Sequence, residues 1–135
     1  MLARKGARGR GADRPLVTVC RGCCCGTESK HPDADHAGQL DALLAGIGDA
    51  GRVRVSDCLD ACEYSNVVVV GPSADARRVG ARPVWIAGVL DRRAIADIVA
   101  WVRGGGPGLA HPSDVLDLML FTPARAARRL LRRED

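Results

Sequence analysis

Six cysteines occur in this chain, and all of them lie in two short stretches. The first stretch, VCRGCCCGT, and the second, SDCLDACEYSN, supply Cys20, Cys23, Cys24, Cys25, Cys58 and Cys62. Clustered thiols can form disulfides, act as a redox dithiol, bind zinc or hold an iron–sulfur cluster. The question is which of these chemistries the spacing favours.

The length and the N-terminal sequence bear on the compartment. A chain of 135 residues has the length of a single domain and can bury a hydrophobic core without disulfides. Its start, MLARKGARGRGADR, has the positive charge of a signal peptide but no apolar stretch, and no run approaches the roughly 18 apolar residues of a membrane span. We therefore expect a cytoplasmic protein without a membrane partner, in which clustered cysteines bind metal or do redox chemistry.

The net charge of +4 comes from the two ends of the chain. Residues 1–14 carry five basic side chains and one acidic side chain, and residues 122–135 carry five basic and two acidic ones. Residues 15–121 carry ten basic and thirteen acidic side chains, so this part is mildly acidic. We interpret residues 1–14 as a disordered basic tail. No aromatic residue lies in either basic run, so we expect no nucleic-acid partner.

Apolar periodicity predicts an α/β domain of order β-α-β-β-β-α over residues 15–109. Strands are predicted at 16–19, 52–55, 66–70 and 83–86. Helical stripes are formed by Leu40, Leu43, Leu44 and Ile47, and by Ile95, Ile98, Val99 and Val102. Capping by Asp33 or Asp35 and by Asp91 would begin these helices, and GPSADARRVGAR is predicted to be a long turn.

The remaining residues, 110–135, form a C-terminal extension with a basic end. Val115 to Phe121 is apolar enough for a helix or a strand, with Ser113 or Asp114 as a cap, and residues 124–133 are helix-prone.

The predicted topology brings the two cysteine stretches together. A helix that joins two strands makes them parallel, with a right-handed crossover. Each cysteine stretch follows one of these two strands, so both emerge at the carboxyl edge of the sheet, where open α/β sheets bind ligands. The six cysteines are therefore predicted to form one constellation.

The spacing favours an iron–sulfur cluster over the other chemistries. Adjacent cysteines in extended chain point in opposite directions and cannot all face one disulfide partner. A redox dithiol or a zinc knuckle could use Cys20 and Cys23, and this alternative stays open. Cys20-x4-Cys25 and Cys58-x3-Cys62 instead give two pairs, one for each iron of a 2Fe–2S cluster.

These motifs resemble those of the thioredoxin-like 2Fe–2S ferredoxins, a family that includes the ferredoxin-like subunit of respiratory complex I. The C-x4-C and C-x3-C motifs, the run SDCLDACEYSNVVVV, the short strand PVWIAGV and the helix ending in GGGPG carry the resemblance, over about residues 15–109. It implies a thioredoxin-like β-α-β-β-β-α fold with a small mixed sheet and two helices. Relatives often have Gly-Pro where this chain has Ser65-Asn66, and the absent proline counts against thiol–disulfide exchange.

The resemblance also implies the ligands and the role. The cluster ligands would be Cys20, Cys25, Cys58 and Cys62, with Cys24 or Cys23 as alternates for Cys25. The protein would be a one-electron carrier rather than an enzyme, working with redox partner proteins, and a homodimer like the free-standing relatives. All-cysteine centres of the plant type have potentials near about −400 mV.

Other polar residues allow simpler interpretations. His31, His36 and His111 lie in breaker-rich sequence and are predicted to be solvated loop residues. Asp57, Asp60 and Glu63 could form an acidic docking rim beside the second cysteine pair, and a solvated loop explains them nearly as well. Gly26 is expected to allow backbone amides to approach the sulfur of Cys25.

Overall fold

The computed structural model describes residues 13–22 and 25–133. Of the predicted tail, residues 1–14, the first twelve lie outside the described residues, as do the alternate ligands Cys23 and Cys24; Arg14 is described and donates to Asp49 O at 3.4 Å. In the described part, the chain is a mixed α/β protein, as expected.

The sheet has five strands in the order β2-β1-β3-β4-β5. They are β1 (Leu16–Cys20), β2 (Arg52–Ser56), β3 (Val68–Gly71), β4 (Val84–Ile86) and β5 (Leu120–Phe121). β1 and β2 are parallel, with Cys20 opposite Ser56, and the other three pairings are antiparallel. The predicted parallel pair is confirmed, so both cysteine stretches leave the sheet at one edge.

Five α-helices occur in the described residues, where the sequence predicted two long ones and a helical end. They are α1 (His36–Ile47), α2 (Ala74–Arg78), α3 (Arg92–Arg103), α4 (Asp114–Asp117) and α5 (Arg125–Arg133). None of them combines the length and apolarity that crossing a membrane requires.

Side-chain caps begin four of these helices at residues that favour such caps. Asp35 accepts from Gly38 N in α1 and Asp91 from Ala94 N in α3, as predicted. Ser113 caps α4, so Val115 to Phe121 forms both a short helix and a strand. The predicted long turn was only partly right, because Ser73 caps the short helix α2 within it.

The main core lies between one face of the sheet and the pair α1 and α3. Strand residues alternate as the pleat requires: Val17, Val19, Val68, Val70 and Ile86 face these helices. From the helices, Leu43, Ile47, Ile98 and Val102 complete the core. The predicted stripes were right apart from Leu44, which is exposed, while Gln39 is buried in its place.

The opposite face of the sheet is partly covered by α5. Ala127 and Leu131 pack in a second apolar cluster with Val69 and Trp85. Arg54 donates to Thr18 Oγ1 at 2.8 Å and to the carbonyl of Leu131 at 3.2 Å. The C-terminal extension therefore belongs to the same folded unit as the sheet, because it adds β5 to one edge and α5 to one face.

Candidate metal centre

The two cysteine loops touch each other at their backbones. Gly22, in the loop after β1, lies so close to the second loop that a Cβ atom on it would be 2.4 Å from the nitrogen of Cys58. The amide of Arg21 donates to Ser56 O at 3.0 Å, and Cys20 Sγ lies 3.6 Å from Asp57 O. Residues almost forty positions apart thus form one site at the edge of the sheet.

The four described cysteines are arranged as two pairs. Cys20 and Cys25 lie in one buried cluster and shift each other's pKa, and the sulfurs of Cys58 and Cys62 are 3.7 Å apart. Two thiolates bound to one tetrahedral metal at about 2.3 Å each would be separated by about 3.8 Å. The second pair therefore already has the spacing that a shared metal ion requires.

The two pairs differ in their exposure. Cys20 and Cys25 are each only 2% exposed and belong to the apolar cluster beneath α5. Cys58 and Cys62 are half-buried, and the second loop carries the exposed side chains Asp57, Asp60 and Glu63 beside them. The candidate site thus has a buried side and a side that faces solvent.

Hydrogen bonding moves the pKa values of the buried pair in opposite directions. The thiol of Cys25 donates to Cys20 and, against the effect of burial, lowers the pKa of Cys20 to about 6. Backbone hydrogen bonds from Leu59 and Gly22 and the charge of Arg21 act in the same direction. The same thiol bond, together with burial, raises the pKa of Cys25. A thiolate at Cys20 is the form of cysteine that binds metals.

Competing influences act on Cys58. The Asp60 amide lowers its pKa, but burial, the hydrogen bond with Cys62 and the charges of Cys62 and Cys20 together raise it. Negative charge on Cys20 thus raises the pKa of Cys58, and negative charge on Cys62 raises the pKa of Cys25. The two pairs belong to one electrostatic unit.

Backbone amides donate to at least one sulfur in each pair. Val67 N lies 3.4 Å from Cys25 Sγ, and Asp60 N lies 3.3 Å from Cys58 Sγ. Gly26 has φ +76, and its own amide donates to the side chain of Asn66 at 2.8 Å. Gly26 therefore shapes the loop beside Cys25, whose sulfur receives its amide from Val67.

A buried polar network ties the first loop to the start of β3. Asn66 is fully buried, and its Nδ2 lies 2.8 Å from His36 Nδ1. The other ring nitrogen of His36 lies 3.1 Å from His31 O, and His31 Nε2 lies 3.1 Å from Ser65 Oγ. The Ser65–Asn66 peptide bond is cis.

The prediction that the histidines are solvated loop residues was wrong for two of the three. His36 is buried in the first turn of α1, His31 is half-buried, and His111 is exposed. A signal for His36 was present in the sequence, because the stripe of Leu40, Leu43 and Ile47 extends back to it at helical spacing. The signal was missed because the preceding breaker-rich run suggested a loop.

Among residues 13–22 and 25–133, no three histidine, cysteine or acidic side chains converge so as to hold a single metal ion. The four cysteines named from the sequence come together as two pairs at one sheet edge. No protein family matches this chain, and no curated protein or solved structure matches it significantly.

Proposed function

We propose that this protein is a thioredoxin-like 2Fe–2S ferredoxin, a one-electron carrier rather than an enzyme. One observation carries the proposal: two loops that follow parallel strands bring four cysteines to one sheet edge as two pairs. A binuclear cluster needs two thiolates at each iron. The pairing of the sulfurs agrees with that requirement.

The topology supports the thioredoxin-like part of the proposal. A β-α-β unit is followed by two antiparallel strands and a helix, and the sheet order through these elements is β2-β1-β3-β4. The helices α1 and α3 pack on the same face. Beyond this β-α-β-β-β-α order, the chain has the short helix α2 between β3 and β4. It also has α4, β5 and α5 after α3.

The four cysteine sulfurs fit a 2Fe–2S cluster. Cys20 and Cys25 would hold one iron, and Cys58 and Cys62 the other. Once bound, such a cluster supplies reversible uptake of a single electron. The amides of Val67 and Asp60 would stabilise negative charge on the sulfurs and so favour the reduced form.

The exposure of the site suggests where a redox partner docks. The pair Cys58 and Cys62 is the more accessible one, whereas Cys20 and Cys25 lie beneath apolar side chains. Asp57, Asp60 and Glu63 give this surface negative charge. We propose that a redox partner with a basic surface approaches here, guided by charge complementarity.

Zinc binding is the second candidate. The 3.7 Å between Cys58 and Cys62 suits two thiolates on one zinc ion as well as on one iron. A dithiol reaction at Cys20 is less well supported, because that thiol is buried and contacts Cys25. Its proposed partner Cys23 lies outside the described residues.

The test is the visible absorption spectrum of anaerobically purified protein, before and after dithionite, with assays for iron, acid-labile sulfide and zinc. We expect visible bands that bleach on reduction, and two irons and two sulfides per chain. A colourless protein with one zinc per chain would replace the proposal with the second candidate. A colourless, metal-free protein after iron-replete expression would leave only thiol chemistry.

We also propose that the protein forms a homodimer, as the resemblance implies. The strand β2 lies at an edge of the sheet, and its Val55 is exposed. Sedimentation equilibrium at micromolar concentration tests this, and a monomer there would contradict it.

A further inference from the structure

Beside α5, the sheet face carries a groove that the proposed cluster does not use. Its volume is about 530 Å³, within the range of small-molecule sites. Its apolar lining includes Leu16, Val69, Pro72 and Leu131. Because α5 covers only part of the face, the groove stays open beside it.

Arginines line this groove from two elements. Arg52 and Arg54 come from β2, Arg77 and Arg78 from α2, and no acidic side chain is among the described residues that line it. Near its rim, Asp75 pairs with Arg78 at 2.9 Å. The groove therefore has a concentrated positive charge above an apolar floor.

A second cavity of about 520 Å³ adjoins this groove. The two cavities share Arg77, Pro83 and Leu131, and the second adds Arg82, Arg128 and Arg132. Its lining, in the described residues, also lacks an acidic side chain. The positive charge thus extends from β2 to the last helix.

One of these arginines has a defined position. Arg54 donates to the hydroxyl of Thr18 and to the carbonyl of Leu131, so its guanidinium is oriented by the sheet and by α5. Such a fixed guanidinium loses less conformational entropy when it binds an anion. Arg77, in contrast, is exposed and can adjust to a ligand from α2.

We propose that this groove binds a small organic polyanion, either a phosphate ester or a polycarboxylate. Arginines match the geometry of phosphate and carboxylate groups, and several of them together suit more than one negative charge. The apolar floor suits the carbon skeleton of such a ligand. No described cysteine lines this groove, although its wall residues Val69 and Leu131 pack in the same apolar cluster as Cys20 and Cys25.

The experiment is calorimetric titration of the full chain with ADP and with citrate at low ionic strength. We expect saturable one-to-one binding of at least one of them that weakens as salt is added. The probe that binds more tightly shows whether the groove prefers phosphate or carboxylate groups. The double variant Arg52→Gln/Arg77→Gln removes two exposed guanidinium groups and should weaken binding at least about tenfold.

The matched control is Arg92→Gln/Arg93→Gln, which removes the same charge from exposed positions of α3 on the other face of the sheet. It should bind like the unaltered protein. Near-ultraviolet circular dichroism and thermal unfolding establish that both variants are folded. Binding of neither probe, equal weakening in both double variants, or binding of duplex DNA or an acidic peptide in place of the small anions would overturn the proposal. Each outcome is independent of whether the cysteines hold iron.

Discussion

The backbone of Gly22 lies against the backbone nitrogen of Cys58, and this contact leaves no room for a side chain. A Cβ atom at position 22 would be 2.4 Å from that nitrogen and 3.0 Å from the carbonyl carbon of Asp57. Both neighbours are backbone atoms, so no rotamer change can relieve the overlap. The contact holds the two cysteine loops together.

Replacing Gly22 with alanine should therefore separate the loops. We expect Gly22→Ala to lower the free energy of unfolding by about 1–3 kcal/mol, as overpacking does, and to reduce the metal content of the purified protein. Urea unfolding and metal analysis measure the two effects. Gly104→Ala is the control, because a Cβ there meets only Ala110 Cβ, at 3.2 Å, and backbone oxygens beyond that. Equal metal content in the two variants would contradict the role of the contact.

The cysteines can be sorted by single serine substitutions. We expect Cys20→Ser, Cys25→Ser, Cys58→Ser and Cys62→Ser each to remove or strongly weaken the visible absorption of the cluster, because serine is a poor substitute for a thiolate ligand. Cys23→Ser and Cys24→Ser serve as controls and should keep it. If Cys24→Ser or Cys23→Ser lost the absorption while Cys25→Ser kept it, the second ligand would be reassigned.

Asn66 should contribute to stability through its two side-chain hydrogen bonds. The substitution Asn66→Ala leaves the Gly26 amide and a ring nitrogen of His36 without these partners. We expect it to lower the free energy of unfolding by about 2 kcal/mol. Asn66→Asp keeps an acceptor for Gly26 but places a carboxylate at a fully buried position, so it should destabilise the protein at least as much. Denaturant titration measures both, and an Asn66→Ala variant as stable as the parent would show that the network contributes nothing.

The C-terminal helix should stabilise the domain through Leu131. This side chain is buried with Val69 and Trp85, in the cluster that also contains Cys20 and Cys25. Leu131→Ala should lower the free energy of unfolding by about 2 kcal/mol or more. Leu118→Ala makes the same change at a side chain that is 86% exposed, and should alter it by less than about 0.5 kcal/mol. Similar effects in chemical denaturation would mean that α5 is not packed on the sheet in solution.

Much of the site's position could be predicted from the sequence, because it follows from local rules. Asp35 and Asp91 cap helices by reaching amides three residues away. A helix between two strands makes those strands parallel, which places Cys20 and Cys58 beyond the same edge of the sheet. None of these inferences needs a contact between distant elements.

Errors arose where burial depends on what packs above a residue. Leu44 continues an apolar stripe yet is exposed, while Gln39 is buried and donates to the carbonyl of Leu90. The polar loop before α1 suggested a solvated His36, but Asn66 reaches it from thirty residues away. Hydropathy at one position cannot report such a partner.

The sequence by itself determined the first four strands, the two long helices and the edge at which the cysteines gather, since periodicity, caps and crossover handedness follow from short segments of the chain. Only the tertiary structure decided which amides reach the sulfurs and how α5 and the arginines are arranged over the sheet. The hydrogen bond from Arg54 to Leu131 joins residues 77 positions apart. Such contacts depend on how whole elements pack, and no local pattern in the chain encodes them.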